Sequence, residues 1–196
     1  MIPALAFAAA ALAIVIRLSL LAALQASGSR HPVRDAVSDY GVGPSRARFE
    51  SMSLAATAGW WLLALGTWIG YPTWSDRTFA TVALAVIGVT TALLRFFPTD
   101  LPGTRRTATG LVHYALAITQ FALTYSVMGN LVRLLGGAEL TVLHIATLVG
   151  LAGLCLWLVP ALQRRLPVFG LMERVFLISS ALFYLDVAVR SAAHLA

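Results

Sequence analysis

Six long apolar stretches occupy most of this 196-residue chain, and they constrain its fold more than any other feature. A helix that crosses the hydrocarbon core of a bilayer needs roughly 20 mostly apolar residues. The stretches predict spans at about residues 3–25, 51–70, 78–97, 109–134, 139–162 and 169–194. We therefore expect an all-α membrane protein, with residues 1–196 forming one domain, a single bundle of six transmembrane helices.

The composition supports this fold class and narrows the partners. Charged residues make up 11% of the chain and hydrophobic residues 59%, whereas soluble domains carry about 25% charged residues. The formal net charge of +6 does not indicate nucleic-acid binding, because the arginines lie at the edges of the spans, where anionic lipid headgroups are the expected counter-charge. The single cysteine, Cys155, lies inside an apolar stretch, so neither a disulfide framework nor a thiolate metal site is expected.

The gaps after the first, third and fifth stretches fall on one side of the membrane, which we call the loop-rich face. Nine arginines belong to this face and three to the other. Those at the loop-rich face are Arg30, Arg34, Arg46, Arg48, Arg95, Arg105, Arg106, Arg164 and Arg165. The positive-inside rule therefore predicts a multi-pass protein of the cell membrane with this face in the cytoplasm.

The first gap, residues 26–50, is long for so economical a chain, and long ordered loops are often functional. It contains the segment Ser-Asp-Tyr-Gly-Val-Gly-Pro at 38–44, whose glycines and proline predict a defined turn. We identify Asp39 as a candidate catalytic carboxylate and Ser38 as a candidate binding residue. The structural alternative is that Asp39 only caps backbone N–H groups within the turn.

A second polar group follows the third stretch. Asp100 comes after a Phe-Phe-Pro exit at 96–98, and Arg105 and Arg106 are candidate ligands for a phosphate. His113 lies about one turn into the fourth helix, where the helix N-terminus favours a neutral imidazole. We predict Asp100 and His113 as catalytic candidates, against the alternative of an ordinary helix exit with a hydrogen-bonding histidine.

The last helix begins with Glu173 and Arg174, predicted as a catalytic and a binding residue of the same face. Arg17 lies mid-helix, about 12 Å below the loop-rich end of the first span. Buried membrane charges usually face the bundle interior with a partner, so we expect Arg17 to form the floor of the site and to pair with a carboxylate. At the opposite face, Asp186 and Arg190 have the i, i+4 spacing of a helical ion pair.

These motifs, in this order, resemble the domain of unknown function 998 family of bacterial and archaeal membrane proteins. The resemblance rests on the 38–44 segment, the Phe-Pro-Thr-Asp exit at 97–100, His113, and the Glu173–Arg174 pair. That family is distantly similar to membrane proteins of the DRAM and Sfk type, which implies lipid handling. The resemblance also implies a first loop outside the cytoplasm, whereas the arginine count predicts the cytoplasm, so both orientations stay open.

Three functions remain open from the sequence, all with a membrane lipid as the expected partner. The first is binding, and with it movement, of a lipid headgroup or similar anionic amphiphile. The second is lipid hydrolysis or transfer, assisted by a divalent metal on Asp39, Asp100 and His113, or carried out by Ser38 with His113 as its base. The third is a structural or regulatory subunit. The sequence indicates neither the headgroup nor an oligomeric state.

Overall fold

The computed structural model describes residues 1–101, 103–157, 159 and 167–196, and it confirms the predicted fold class. The described residues contain six long helices and no strand. The helices are α1 (Ile2–Ala26), α2 (Arg46–Gly70), α3 (Arg77–Leu94), α4 (Ala108–Leu135), α5 (Ala138–Trp157) and α6 (Phe169–His194). Each is long and apolar enough to cross a membrane, as expected of a multi-pass membrane protein.

Two helix boundaries differ from the predicted ones for identifiable reasons. Helix α2 begins at Arg46 rather than near residue 51, because its first turn is polar and is joined by an ion pair between Arg46 and Glu50 (2.8 Å) that hydropathy does not register. Helix α3 ends at Leu94 rather than near residue 97, since Pro98 disfavours helical backbone before it. The predicted end of the fifth span at 162, with Arg164 and Arg165, lies outside the described residues.

The main apolar core takes side chains from all six helices and lies toward the face opposite the loops. Its buried members include Phe7, Trp60, Leu84, Met128 and Tyr184. The Trp60 and Tyr184 rings meet edge to face, with centroids 4.8 Å apart, an arrangement that aromatic pairs favour. This core fixes the spacing of the helices on which the polar residues are carried.

Helix α4 packs closely against only one of its neighbours among the described helices. It packs mainly against α3, and its contacts with α5 and α6 are sparser than those that α5 and α6 make with each other. The rings of Phe121 and Phe176 close the space between α4 and α6 part of the way along, with centroids 4.4 Å apart. Nearer the loop-rich face the helices leave open space, and this space is the candidate site.

Candidate functional site

A groove of about 410 Å³ lies at the loop-rich face, bordered by the first loop, the third loop and helices α4, α5 and α6. Its walls contain all four predicted catalytic candidates, Asp39, Asp100, His113 and Glu173. Ser38 lines the same groove, as the first residue of a short 3-10 helix, Ser38–Gly41. The structure therefore brings together side chains that are up to 135 positions apart in the sequence.

The first loop is held in place by the beginning of α6. The Glu173 carboxylate accepts a hydrogen bond from the Val37 backbone N–H (2.6 Å). Arg174 donates from Nη1 to the carbonyl oxygens of Asp35 (2.6 Å) and Gly170 (2.9 Å). Because Val37 is buried, its N–H needs this partner, and the loop cannot leave α6 without a cost.

Asp39 lies inside the loop that this contact holds. Its Oδ2 accepts a hydrogen bond from the Ala36 N–H (3.1 Å), and the side chain is buried. Burial raises the pKa of the Asp39 carboxyl, while the Ala36 hydrogen bond and the positive charge of Arg30 oppose that rise. The capping alternative is therefore part of its role, although the carboxylate also lines the groove.

Asp100 fastens the third loop to the first turn of α4. Its two oxygens accept from the Thr107 backbone N–H (2.8 Å) and the Thr107 hydroxyl (2.8 Å), and that hydroxyl accepts from the Gly110 N–H (3.0 Å). The two hydrogen bonds from Thr107 lower the pKa of the Asp100 carboxyl. A Cβ at Gly110 would collide with this carboxylate, so glycine is what permits the approach.

His113 is buried one turn further along α4, and its ring is oriented by the end of α3. The Nδ1 atom lies 2.7 Å from the Phe97 carbonyl oxygen, which can only accept, so Nδ1 carries the proton and donates it. In the neutral ring, Nε2 is then an acceptor. Among the described residues, Nε2 has no hydrogen-bond partner. It is also not among the side-chain nitrogens that are fully buried without a partner, so it remains accessible from the groove.

A smaller inner chamber of about 70 Å³ continues the groove toward the middle of the bundle. Ser38, His113 and Glu173 line both spaces, whereas Arg17 and Gln120 line the inner chamber but not the groove. Arg17 thus lies deep in the site, as predicted, and is only 8% exposed. The predicted ion pair is absent: within the described part of the chain no hydrogen bond or ion pair reaches Arg17, because the Glu173 carboxylate is held by the loop instead.

The other predicted anion-binding arginines have different positions. Arg106 lines the groove at its exposed rim, whereas Arg105 does not line it. Arg174 is buried, and its hydrogen bonds go to backbone carbonyls of the loop and of α6. It therefore acts in this structure as a clamp, because the guanidinium is already engaged where a phosphate would have to bind.

The predicted metal site is not assembled in this arrangement. Throughout residues 1–101, 103–157, 159 and 167–196, no three histidine, cysteine or acidic side chains are grouped closely enough to hold a metal ion. Asp39, Asp100 and His113 share the groove, but each is directed by a different backbone contact, on Ala36, Thr107 and Phe97 respectively.

Several lining residues were missed by the sequence interpretation. Gln120 carried a usable signal, since it follows His113 by seven residues and two helical turns place both on one face of α4. Arg34 lines the rim of the groove, yet nothing distinguishes it from the other loop arginines in the sequence. The aromatic wall was also missed, because each of its members reads as an ordinary apolar residue: Tyr114, Phe121, Trp157 and Phe169.

Comparison with known proteins gives a match to a protein family. No curated protein and no solved structure matches the chain, so the distant similarity to proteins of the DRAM and Sfk type stays a prediction. A protein-family match covers residues 7–190, a range that includes every residue of the groove and of the inner chamber. Because this match spans nearly the whole chain, the protein belongs to the family described as "Protein of unknown function (DUF998)".

Proposed function

We propose that this protein of the cell membrane binds a lipid headgroup, or a similar anionic amphiphile, in the groove at its loop-rich face. The supporting observation is the division of the groove walls. One part carries Ser38, Asp39, Asp100, His113 and Glu173, and the other carries the aromatic side chains of α4, α5 and α6. An amphiphile needs both kinds of surface, with polar groups for its head and apolar groups for its chains.

The position of the groove supports a lipid over a water-soluble ligand. It lies where α4 stands apart from α5 and α6, beside helices that carry apolar side chains on their outer surfaces. A lipid tail could remain in contact with the bilayer while its headgroup occupied the polar part. A second void on the far side of Arg17, lined by Trp60 and Tyr184, has a volume of only about 10 Å³, so the proposal is for binding of the headgroup and not for a path across the membrane.

The test is native mass spectrometry of the protein extracted from its own membrane. Ala117 lines both the groove and the inner chamber, so Ala117→Trp should fill them and remove the retained lipid mass. Ala115→Trp is the matched control, because Ala115 is exposed on the same helix and lines neither space. Ala117→Leu, a smaller filling, covers the case in which the tryptophan variant does not fold.

Each result distinguishes between the functions left open by the sequence. Retention in the wild type and in Ala115→Trp, with loss in Ala117→Trp, supports lipid binding in the groove. Equal retention in all three proteins places the lipid elsewhere and contradicts the proposal. A wild-type protein that carries no lipid also contradicts it and favours a structural or regulatory subunit.

One observation favours a second candidate, a serine-dependent acyl hydrolase or transferase. The Phe97 carbonyl holds His113 in the tautomer whose Nε2 can accept a proton, and Ser38 lines the same spaces as that ring. A fluorophosphonate probe tests this reading, because it labels only activated serines. Labelling that is lost in Ser38→Ala and in His113→Gln would support catalysis, and an unlabelled wild-type protein would contradict it.

A further inference from the structure

We infer that the headgroup bound in this site is zwitterionic, with a phosphate at Arg17 and a primary ammonium group facing Glu173 and Asp39. This inference rests on the proposed function and adds the chemical class of the ligand. It depends on the order of charges between the loop-rich face and the interior of the bundle. An aminophospholipid has the same order, because its ammonium group lies outside its phosphate.

The inner charge of this series is Arg17. Its side chain is more than nine-tenths buried, and no described residue forms a hydrogen bond or ion pair with it. In the described residues, two side-chain nitrogens are inaccessible to solvent and have no hydrogen-bond partner, those of Trp60 and His144. The guanidinium nitrogens of Arg17 are not among them. They therefore face open space, and Arg17 lines both the inner chamber and the small void beside Trp60 and Tyr184.

A buried guanidinium without a partner is costly, because an isolated charge loses its hydration and gains nothing in return. Its planar fork of five N–H donors matches the oxygens of a phosphate or a carboxylate. The structure already contains one acid nearby, Glu173, but no oxygen of that carboxylate comes within 4.0 Å of Arg17. A ligand phosphate between the two would supply the missing acceptor.

The outer charges of the series are carboxylates. Glu173 lines both the inner chamber and the groove, and Asp39 lines the groove beside it. Each is fixed by a backbone N–H, of Val37 and Ala36 respectively. A carboxylate has about four lone-pair positions, so each can hold its backbone partner and still accept from a primary ammonium group.

The depth of the charges agrees with this orientation. Arg17 lies nine residues before the end of α1, or roughly 13 Å along the helix axis. Glu173 is in the first turns of α6, and Asp39 is in the loop outside the helices. The buried Arg174 directly follows Glu173, but its Nη1 already donates to the Asp35 and Gly170 carbonyls, so it belongs to the clamp on the first loop. Two other cations, Arg34 and Arg106, lie at the rim, but they are exposed, and water and salt screen them far more than the buried groups.

The experiment compares three lipids with identical acyl chains, titrated into delipidated protein and measured by native mass spectrometry. The lipids are phosphatidylethanolamine, phosphatidylcholine and phosphatidylglycerol. We expect the first to be retained at least tenfold better than the other two, since choline has no N–H to donate and glycerol has no cation. Equal retention of phosphatidylcholine or phosphatidylglycerol would overturn the inference.

Two substitutions separate the two charges. Arg17→Gln should lower the retention of all three lipids at least tenfold, because it removes the phosphate partner. Glu173→Gln still offers an oxygen to the Val37 N–H, so the first loop keeps its contact. It should reduce the retention of phosphatidylethanolamine to that of phosphatidylcholine. Asp39→Asn tests the same point if Glu173→Gln does not fold. Arg133→Gln and Glu139→Gln, at the opposite face, are the matched controls and should leave retention unchanged.

The outcomes also separate this inference from the proposed function. If Ala117→Trp abolishes lipid retention but the wild type shows no headgroup preference, lipid binding in the groove is supported. The inference that the headgroup is zwitterionic is then overturned. Failure of all three lipids to bind overturns the zwitterion, and it overturns the proposed function as well if the protein from its own membrane also carries no lipid. If free phosphoethanolamine, at the same concentration as the lipid, displaces phosphatidylethanolamine, the proposed order of charges is supported. The ligand would then be the free headgroup compound, and the inference of a lipid would be overturned.

Discussion

The two ends of the helical bundle contain the same kinds of charged side chains but use them differently. At the face opposite the loops, Arg190 contacts Asp186 through Nε (2.9 Å) and Glu139 through Nη2 (3.1 Å). Arg133 contacts Asn130 and, at 3.4 Å, Asp76. Every one of these contacts joins side chains to side chains. The first set ties α5 to α6, and the second ties α4 to Asp76, the residue before α3.

At the loop-rich face, the Arg46–Glu50 ion pair does not line the groove. The carboxylates that line the groove instead accept hydrogen bonds from backbone N–H groups, including those of Val37, Ala36 and Thr107. The buried cation of that end, Arg17, therefore has no described side chain left to pair with. Ion pairing closes one end of the bundle, whereas backbone anchoring keeps a space open at the other. The predictions below test this difference, starting with the largest expected effect.

The first prediction compares one glutamate from each end. Glu173→Ala should destabilise the protein by about 1–3 kcal/mol, because it leaves the buried Val37 N–H without a partner. Glu139→Ala removes an exposed ion-pair partner and should change the thermal midpoint little. Thermal unfolding of both variants in one detergent measures the contrast, and equal losses would show that the two ends are built alike.

The second prediction uses two glycines of the same helix. Gly110→Ala should cost about 1–3 kcal/mol, since its Cβ would displace the Asp100 carboxylate from the start of α4. Gly129→Ala, toward the opposite end, meets only His144 at an ordinary 3.7 Å and should be neutral or stabilise by up to about 1 kcal/mol. A stable Gly110→Ala protein would contradict the anchoring role of Asp100.

The third prediction compares two arginines, the buried Arg17 near the loop-rich face and the half-buried Arg190 at the opposite face. In delipidated protein, Arg17→Gln should raise the free energy of unfolding by an amount on the order of 1 kcal/mol, and the thermal midpoint with it, because an unpaired charge leaves the interior. Arg190→Gln should lower the midpoint, because it breaks two contacts. A fall in stability for Arg17→Gln would mean that Arg17 has a partner within the protein itself.

The fourth and smallest effect is a pH dependence with opposite signs at two carboxylates. Thr107 keeps the folded-state pKa of Asp100 below its ordinary value of 3.8, so Asp100 stabilises the fold above that pH and the contribution is lost as pH falls through the folded-state pKa. Burial raises the pKa of Asp39, so its contribution is present below pH 3.8 and is lost as pH rises through the raised pKa.

Thermal midpoints measured from pH 3 to pH 7 should therefore separate the two asparagine variants. Asp100→Asn should lose stability relative to the wild type near neutral pH and approach it in acid. Asp39→Asn keeps an oxygen for the Ala36 N–H without the buried charge, so it should be as stable as the wild type, or slightly more stable, at pH 7. Parallel curves for both variants would contradict the assigned environments.

The parts of the structure that the sequence predicted are those that depend on local composition or on helix order. Six apolar stretches are sufficient for six helices, and alternate gaps must share a face, so Asp39, Asp100, His113 and Glu173 could be placed at one end in advance. Pro98 likewise acts on its immediate neighbours at the end of the third helix.

The partners of these side chains were not predictable in the same way. Nothing in the sequence shows that Glu173 is taken by the Val37 N–H, 136 positions away, rather than by Arg17. The space beside α4 also escaped prediction, because it depends on how closely three helices pack, and apolar side chains such as Phe121 and Trp157 read alike in a tight or an open interface. The contacts of Arg174 with the Asp35 and Gly170 carbonyls likewise depend on how the first loop folds against α6, which the sequence does not show.

The clamp between α6 and the first loop has a consequence for how the protein is made. Residues 35–37 leave the ribosome with the first helix, but their partners, Glu173 and Arg174, are among the last 24 residues of the chain. Until α6 is inserted, the Val37 N–H and the Asp35 carbonyl lack the groups that fix them. The groove therefore cannot form until α6 is in place, and a chain that ended after α5 would lack the groups that hold the first loop.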